Sequence, residues 1–469
     1  MPKSPKRNTT LIRLLTALIA VLLIANGAVL YLQFKVPTDS APTVQPTEAT
    51  TEATIPTTEE TEPPTTTMPE PAHVVSTASI LSTGDLLMHI SVFNSGKQSD
   101  GSYNFDSIFR YITDHVSAAD YSVANLEVTF AGTDNGFSYS GYPRFNCPDA
   151  LADATKNAGF DMLLTANNHS YDTTLVGFKR TLEVVRATGQ ETLGTYLSAD
   201  EQKWTIEEIN GIKVGMLCYT YATGLGPKGT PRLNDNAEIG EAGICNYFTY
   251  DNLPAFYSEV GGYLEKMKAA GAEATVVYLH WGEEYKWKTG EGPNANQTAM
   301  AQKLCDMGVD VIVGGHPHVV QPVDLLTSGT DAEHKTIVLY SMGNAVSNQR
   351  KEEMQQSEPT GHTEDGVLFC VTFAKYSDGS VFVDSAELIP TWVNMHANSG
   401  ATEYNILPLE ESTAAQWQAQ FGLTDTQLAN AKASFDRTQA LTLPGMEKVQ
   451  SYLAQQKQPQ ENLPLDNAA

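Results

Sequence analysis

Three observations predict an α/β fold for the larger part of this 469-residue chain. Short apolar runs recur between glycines and polar residues, as buried strands do. Helical spacing separates several of these runs, as in residues 175–187. Asp, Glu, Asn and His side chains follow directly after successive runs, and open α/β sheets bind ligands at the carboxyl ends of their strands. A core histidine or a helix cap has no reason to keep to that one end, whereas a ligand site built there requires it.

The amino-terminal segment reads differently. Residues 1–13 carry Lys3, Lys6, Arg7 and Arg13 without an acid, and residues 14–34 are apolar apart from Thr16, Asn26, Gly27 and Gln33. Such a run is long enough to cross a hydrocarbon core of about 30 Å as a helix. The basic flank predicts a cytoplasmic tail at 1–13, a transmembrane anchor at 14–34 and an outward-facing remainder. A cleaved signal peptide ending at Ala25-Asn26-Gly27 is the alternative, but the apolar run is longer than such peptides use. Residues 35–74 collapse to Thr, Pro, Glu and Ala, as in TEATTEATIPTTEETEPPTTTMPE. That composition cannot bury enough apolar surface to fold and predicts an extended, disordered stalk.

The net charge of -26 is spread over stalk and domain, which argues against nucleic acid as a partner because phosphate binding needs a basic footprint. Five cysteines lack CxxC spacing and leave a bridge such as Cys147 to Cys245 open.

In chain order, STASILSTGDLLMH places a strand at Ile80-Leu81, a turn at Gly84 and Asp85 at the strand's end. ADYSVANLEVTF repeats the pattern, with Glu127 after Asn125-Leu126. FDMLLTANNHSYD puts Asn167, Asn168 and His169 after the strand 162–164, with Asp172 three residues on. GAEATVVYLHWGEEY ends the strand 275–279 on His280, with Glu283 close behind. VDVIVGGHPHVVQPV runs from a strand through Gly314-Gly315, expected to break it sharply, into His316 and His318. TIVLYSMGN closes the series. Each group taken alone is equally a cap, a turn residue or a packed histidine. Together they supply mixed carboxylate, amide and imidazole ligands, which suit Mn, Fe, Zn or Co rather than Ca or Mg. The donors suffice for two divalent ions sharing one carboxylate, the layout of two-metal phosphatases and nucleases. Arg144, in SGYPRFNCP, is a candidate to hold a substrate anion, and Tyr219 and Tyr221 to line the pocket. Residues 410–469 carry helical spacing in TDTQLANAKASFDRTQAL and GMEKVQSYLAQQ, which predicts a helical extension packed on the domain.

The series GD, NLE, NNH with a following D, HWGEE, GGHPH and SMGN resembles the CapA family of poly-γ-glutamate capsule biosynthesis proteins, in the calcineurin-like metallophosphatase superfamily. The resemblance covers roughly residues 79–408, within a domain expected at 75–409. It implies a four-layer metallophosphatase-like sandwich, two mixed β-sheets face to face with helices outside and a metal centre at one edge. By the same resemblance Asp85 binds one metal, Glu127 bridges, and Asn168, His280, His316 and His318 complete the ligand set. His169 is then the general acid; apart from the resemblance, Asp172 and Glu283 join Arg144 as candidates to contact the substrate. Two departures stand out: Leu87 occupies the position of the superfamily's first-motif histidine, with His89 two residues later, and the bridging aspartate is the longer Glu127.

The expected function is that of a membrane-anchored extracellular protein of capsule or poly-γ-glutamate biosynthesis or export, hydrolysing a phosphoester or an amide at the metal site. Its partners would be the anionic polymer or its precursor and the membrane components of a polymer synthetase. The alternative is a non-catalytic scaffold or export component of that synthetase, using the same fold.

Overall fold

The computed structural model describes residues 72–457 apart from 135, 235–236, 289–291 and 399. The expected tail and anchor, and the stalk up to residue 71, lie outside the described residues, as do residues 458–469. Among the described residues no helix is long and apolar enough to cross a membrane.

The described residues form two large sheets and one small one. The eight-stranded sheet contains β1 (Val74–Leu86), β2 (Tyr121–Leu126), β3 (Met162–Leu164), β4 (Glu191–Leu193), β15 (Asn344–Val346), β16 (Asp365–Tyr376), β17 (Val381–Asn398) and β18 (Ala401–Pro408). Its order is β18-β17-β16-β1-β2-β3-β4, with β15 paired to β1. The seven-stranded sheet contains β5 (Thr205–Ile209), β6 (Ile212–Tyr221), β10 (Tyr247–Phe248), β11 (Ala274–His280), β12 (Val311–Gly315), β13 (Val320–Thr327) and β14 (Lys335–Met342). Its order is β10-β6-β11-β12-β14-β13, with β5 paired to β6. The small sheet joins β7 (Gly224–Leu225), β8 (Pro231–Leu233) and β9 (Ala237–Glu238).

The inner faces of the large sheets share one core. Ile80, Val123, Leu164 and Phe369 of the first pack with Met216, Val276, Val313 and Leu339 of the second. The outer face of the first is covered by α1 (Ile90–Ser95), α2 (Asp106–Phe109), α3 (Thr113–Ala118) and α4 (Ala150–Ala158), through Val92, Phe109, Val116 and Leu151. From α5 (Thr174–Ala187), Val185 joins that layer, while Phe178 and Leu182 pack with Leu233 of the small sheet. The outer face of the second carries α6 (Leu253–Ala269) and α7 (Ala295–Asp306), through Phe256, Val260, Met300 and Leu304. Helix, sheet, sheet and helix are therefore stacked as four layers.

Beyond β18 come α8 (Trp417–Phe421) and α9 (Asp425–Gln456). The first half of α9 packs Ala431 beside Trp392 and Leu407, and its second half sends Met446, Val449 and Leu453 into the core between the sheets. Gly445 is required there, since a Cβ would meet the carbonyl oxygen of Val323 at 1.8 Å.

Two local expectations are corrected. Gly84, Gly314 and Gly315 do not make turns; they lie within β1 and β12. A Cβ on Gly84 would meet the Gly343 oxygen at 2.0 Å and one on Gly314 the Tyr340 oxygen at 2.0 Å, so close backbone approach demands glycine. The left-handed turn falls instead on His316 (φ 96) and His318 (φ 55). All five cysteines are free, and Cys147, Cys218 and Cys245 are buried as small apolar groups.

Candidate metal centre

The parallel strands β1, β2 and β3 of one sheet and β6, β11 and β12 of the other end at a common edge. Strand alternation and the glycine contacts decide which side chains turn inward there. Asp85, Glu127, Asn168, His169, Asp172, His280, His316 and His318 are all buried at that edge. Ligand atoms of Glu127, His280 and His316 lie within 4.8 Å of one another, and so do those of Asp85, Glu127 and His318. Glu127 belongs to both groups. It stands 3.6 Å from His280 Nε2 and 3.7 Å from His318 Nε2. Asn168 Oδ1 is 2.7 Å from His280 Nε2, which adds an amide oxygen to the first group.

In the second group Asn125 Nδ2 donates to Asp85 Oδ1 (2.7 Å) and the His316 N–H to Asp85 Oδ2 (3.4 Å). His318 Nδ1 lies 3.1 Å from Asp85 Oδ2 and 3.1 Å from Asn344 Oδ1. Asn344 Nδ2 in turn donates to the Thr363 carbonyl (2.9 Å) and to Gln349 Oε1 (3.0 Å). The left-handed backbone at His316 and His318 costs on the order of 1–3 kcal/mol per residue and aims both rings at Glu127.

The donor set fits divalent cations. Both carboxylate oxygens of the buried Glu127 lack a hydrogen-bond partner, as do Nδ1 of His280 and Nδ1 of His316. Burial, with the charges of Asp85 and Glu284, pushes Glu127 well above the usual carboxylate range. Burial and the neighbouring histidines push His280 and His316 well below theirs. Burial also lowers His318, but the hydrogen bond and charge of Asp85 outweigh it and raise the group. A buried carboxylate that has no hydrogen-bond partner and stands beside a second carboxylate is expensive, and cations held between these groups and the imidazoles supply the missing partner.

His169 sits beside this cluster. Its Nδ1 is 2.7 Å from Asp172 Oδ2, and its ring meets Phe145 edge-on at 4.7 Å. Asp172 is fixed by the Phe145 N–H (2.7 Å) and by Asn234 Nδ2 (2.7 Å), which also donates to the Pro143 carbonyl (2.9 Å). With Nδ1 engaged, Nε2 is the nitrogen left to exchange a proton.

Tyr221 lies against His316 with ring centroids 4.7 Å apart, whereas Tyr219 turns to α6 and donates to Glu259 (2.7 Å). A cleft of about 710 Å3 opens beside His316, lined by Tyr221, Tyr250, Asp251, Glu283 and Glu284. Another groove of about 410 Å3 lies at the amino ends of β12 and β14, lined by Asp310, His334 and Phe382, away from the ligand cluster. Glu283 is exposed, with Oε1 3.4 Å from Asn294 Nδ2; Arg144 is exposed next to Phe145. Leu87 is buried in the outer core and offers no donor. His89 stays out of both groups and accepts from the Asn348 N–H at 3.2 Å. Asn125, Asn234 and Asn344 had no role in the sequence reading. Asn125 and Asn344 stand inside the motifs NLE and SMGN, but Asn234 carries no sequence signal.

The profile of the bacterial capsule synthesis protein PGA_cap matches residues 79–349. The capsule biosynthesis protein CapA of Bacillus anthracis is 28% identical over 269 residues, 57% of this chain and 59% of that protein. The PGA biosynthesis protein CapA of Bacillus subtilis strain 168 is 28% identical over 271 residues, 57% of this chain and 62% of that protein. The chain thus spans about three fifths of the length of the curated relatives it matches. Among solved structures, one described as a 5'-nucleotidase from Staphylococcus aureus aligns with a TM-score of 0.40 and 15% sequence identity, over 77% of this chain and 58% of that one. The matched segment is more than half of the chain and takes in every candidate ligand from Asp85 to His318, and the chain belongs to the PGA_cap family of bacterial capsule synthesis proteins.

Proposed function

We propose that the chain is a metal-dependent hydrolase with a metallophosphatase-like centre, working at the cell surface in capsule or poly-γ-glutamate biosynthesis or export. The carrying observation is the buried Glu127, without a hydrogen-bond partner and common to two donor groups. Glu127, Asn168, His280 and His316 would hold one divalent ion, and Asp85, Glu127 and His318 the other. Bound there, such ions supply Lewis acidity toward a phosphoryl or carbonyl oxygen and a more acidic water. The rest of the chemistry belongs to the chain. Asp172 holds Nδ1 of His169, so that Nε2 can protonate the leaving oxygen or nitrogen. Tyr221 packs the His316 ring in place, and Arg144 is exposed at the loop beside the site for an anionic group.

The acidic cleft wall of Asp251, Glu283 and Glu284 would repel a polyanion, a sign that cations reverse locally. The anionic polymer or its precursor is the proposed substrate, and membrane components of a polymer synthetase the proposed partners. The basic segment 1–13, the apolar run 14–34 and the stalk 35–74 would tether the domain outside the membrane.

One observation favours a second reading, a non-catalytic scaffold of the synthetase: Leu87, buried in the outer core, leaves the Asp85 position without the superfamily's histidine. Turnover separates the two. Purified protein, stripped with a chelator and reloaded with Mn2+, is assayed on a phosphodiester and on γ-glutamyl chains. Metal-restored hydrolysis of either supports the enzyme; full metal loading with both substrates untouched leaves the scaffold.

A further inference from the structure

We infer that Arg437, on the carboxyl-terminal helix α9, is a positioning residue for the Asp85–Glu127–His318 metal position. The inference rests on the metal-centre reading above. Arg437 grips the buried Asp365 through two hydrogen bonds, Nε to Oδ2 (2.8 Å) and Nη2 to Oδ1 (2.7 Å), and Nη2 also donates to the Gly361 carbonyl (3.1 Å). Ser434, one turn earlier, donates to Asp365 Oδ1 (2.6 Å). These contacts fix both ends of the segment 361–365, which lies against Gly343 and Asn344 at the start of β15.

Two routes lead onward from that segment. The Thr363 carbonyl accepts from Asn344 Nδ2 (2.9 Å), and Asn344 Oδ1 meets His318 Nδ1 (3.1 Å). Gly343 bridges to Gly366, and its carbonyl accepts from the Asp85 N–H (3.0 Å). The fit is tight: a Cβ on Gly343 would meet the Asp365 oxygen at 2.5 Å, and one on Gly366 the Asn344 oxygen at 2.3 Å. A shift of Asp365 is therefore passed to Asn344 and Gly343 without slack. His280, on β11, and Asn168, after β3, are reached by none of these contacts, and His316, after β12, meets them only through its backbone N–H on Asp85 Oδ2 (3.4 Å) while its ring stands in the other group. The helix thus braces one metal position and leaves the other to the sheets. Gly361, Asp365, Ser434 and Arg437 all lie beyond the matched segment 79–349, so this brace belongs to the part of the chain outside the family profile.

The test is Mn2+ binding to the full-length protein by titration calorimetry. In a His280→Ala background the remaining ion reports the Asp85 position, and adding Arg437→Met weakens it by about 10-fold or more. In an Asp85→Ala background the ion at the His280 and His316 position keeps its affinity within about twofold when Arg437→Met is added. The pair Asp365→Asn with Arg437→Met leaves no buried charge unpaired, guards against simple unfolding, and produces the same selective loss. Lys448→Leu, on the same helix, removes an exposed ion pair to Asp324 of β13 and changes neither position. Equal losses at both positions, or an unchanged Asp85 position, overturn the inference. Wild-type protein that takes up no Mn2+ defeats the metal-centre reading itself, and the role of Arg437 falls with it.

Discussion

The two halves of the candidate metal centre share Glu127 and differ in how their histidines are held. His280 and His316 are packed among rings, with Tyr221 beside them, and each keeps an Nδ1 without a partner. His318 is instead caught between Asp85 Oδ2 and Asn344 Oδ1. Burial keeps the first pair neutral, while Asp85 raises His318 against its burial. One half is therefore open to a cation, and the other is already satisfied by its own hydrogen bonds. A cation entering the second half competes with the His318–Asp85 pair. The lesson is that a shared carboxylate does not make two metal positions equal.

That difference can be broken most severely at His316. His316→Ala removes a donor from the open half, so elemental analysis should find one ion fewer and any turnover should fall to background. Retention of both ions would erase the distinction between the halves. Next in size is Asp172→Asn, which touches neither half. It loosens His169 and should lower turnover by about 100-fold to 10,000-fold with metal content unchanged. Loss of metal in that variant would make Asp172 part of the ligand set instead.

A smaller effect is expected in stability. Burial pushes Asp365 up to about 6, against the pull of Arg437. A carboxyl raised in the folded state contributes stability that is fully present below its unfolded value near 3.8 and lost as pH rises through the folded value. Arg437→Met takes away the partner of the ionised form and raises Asp365 further. The thermal deficit of that variant should be small near pH 4 and grow toward pH 8, to about 3 kcal/mol. A deficit independent of pH would show that Arg437 acts through packing alone. The smallest effect belongs to His89. His89→Ala should leave both affinities within about twofold, because His89 binds the Asn348 backbone rather than either donor group.

Much of the site was legible because it is local. Glu127 and His280 follow an apolar run directly, and Asp85, His316 and His318 follow one within five residues, and strands of that kind end where ligands bind. The four layers followed from the motif resemblance, and shared packing of Ile80 with Val276 and Leu339 supplies their physical basis. The glycines were misread because a sequence does not say which backbone comes near: Gly84 faces Gly343, far along the chain. Tyr219 and Tyr221 share a face of β6, but only the second reaches the strand's end, where the face turns from α6 to the site. Asn234 and Arg437 were illegible for a different reason. Each acts through a hydrogen bond across a long sequence separation, onto Asp172 and Asp365, and no periodicity records such a contact.

The most direct test of the shared carboxylate is the metal content of wild-type protein measured beside Glu127→Gln, both purified under the same Mn2+ load. The geometry predicts about two ions per chain in the wild type and none in the variant, since both positions lose the negative charge and the bridging carboxylate they have in common. A wild-type chain without metal, or a Glu127→Gln chain that keeps its ions, would contradict it.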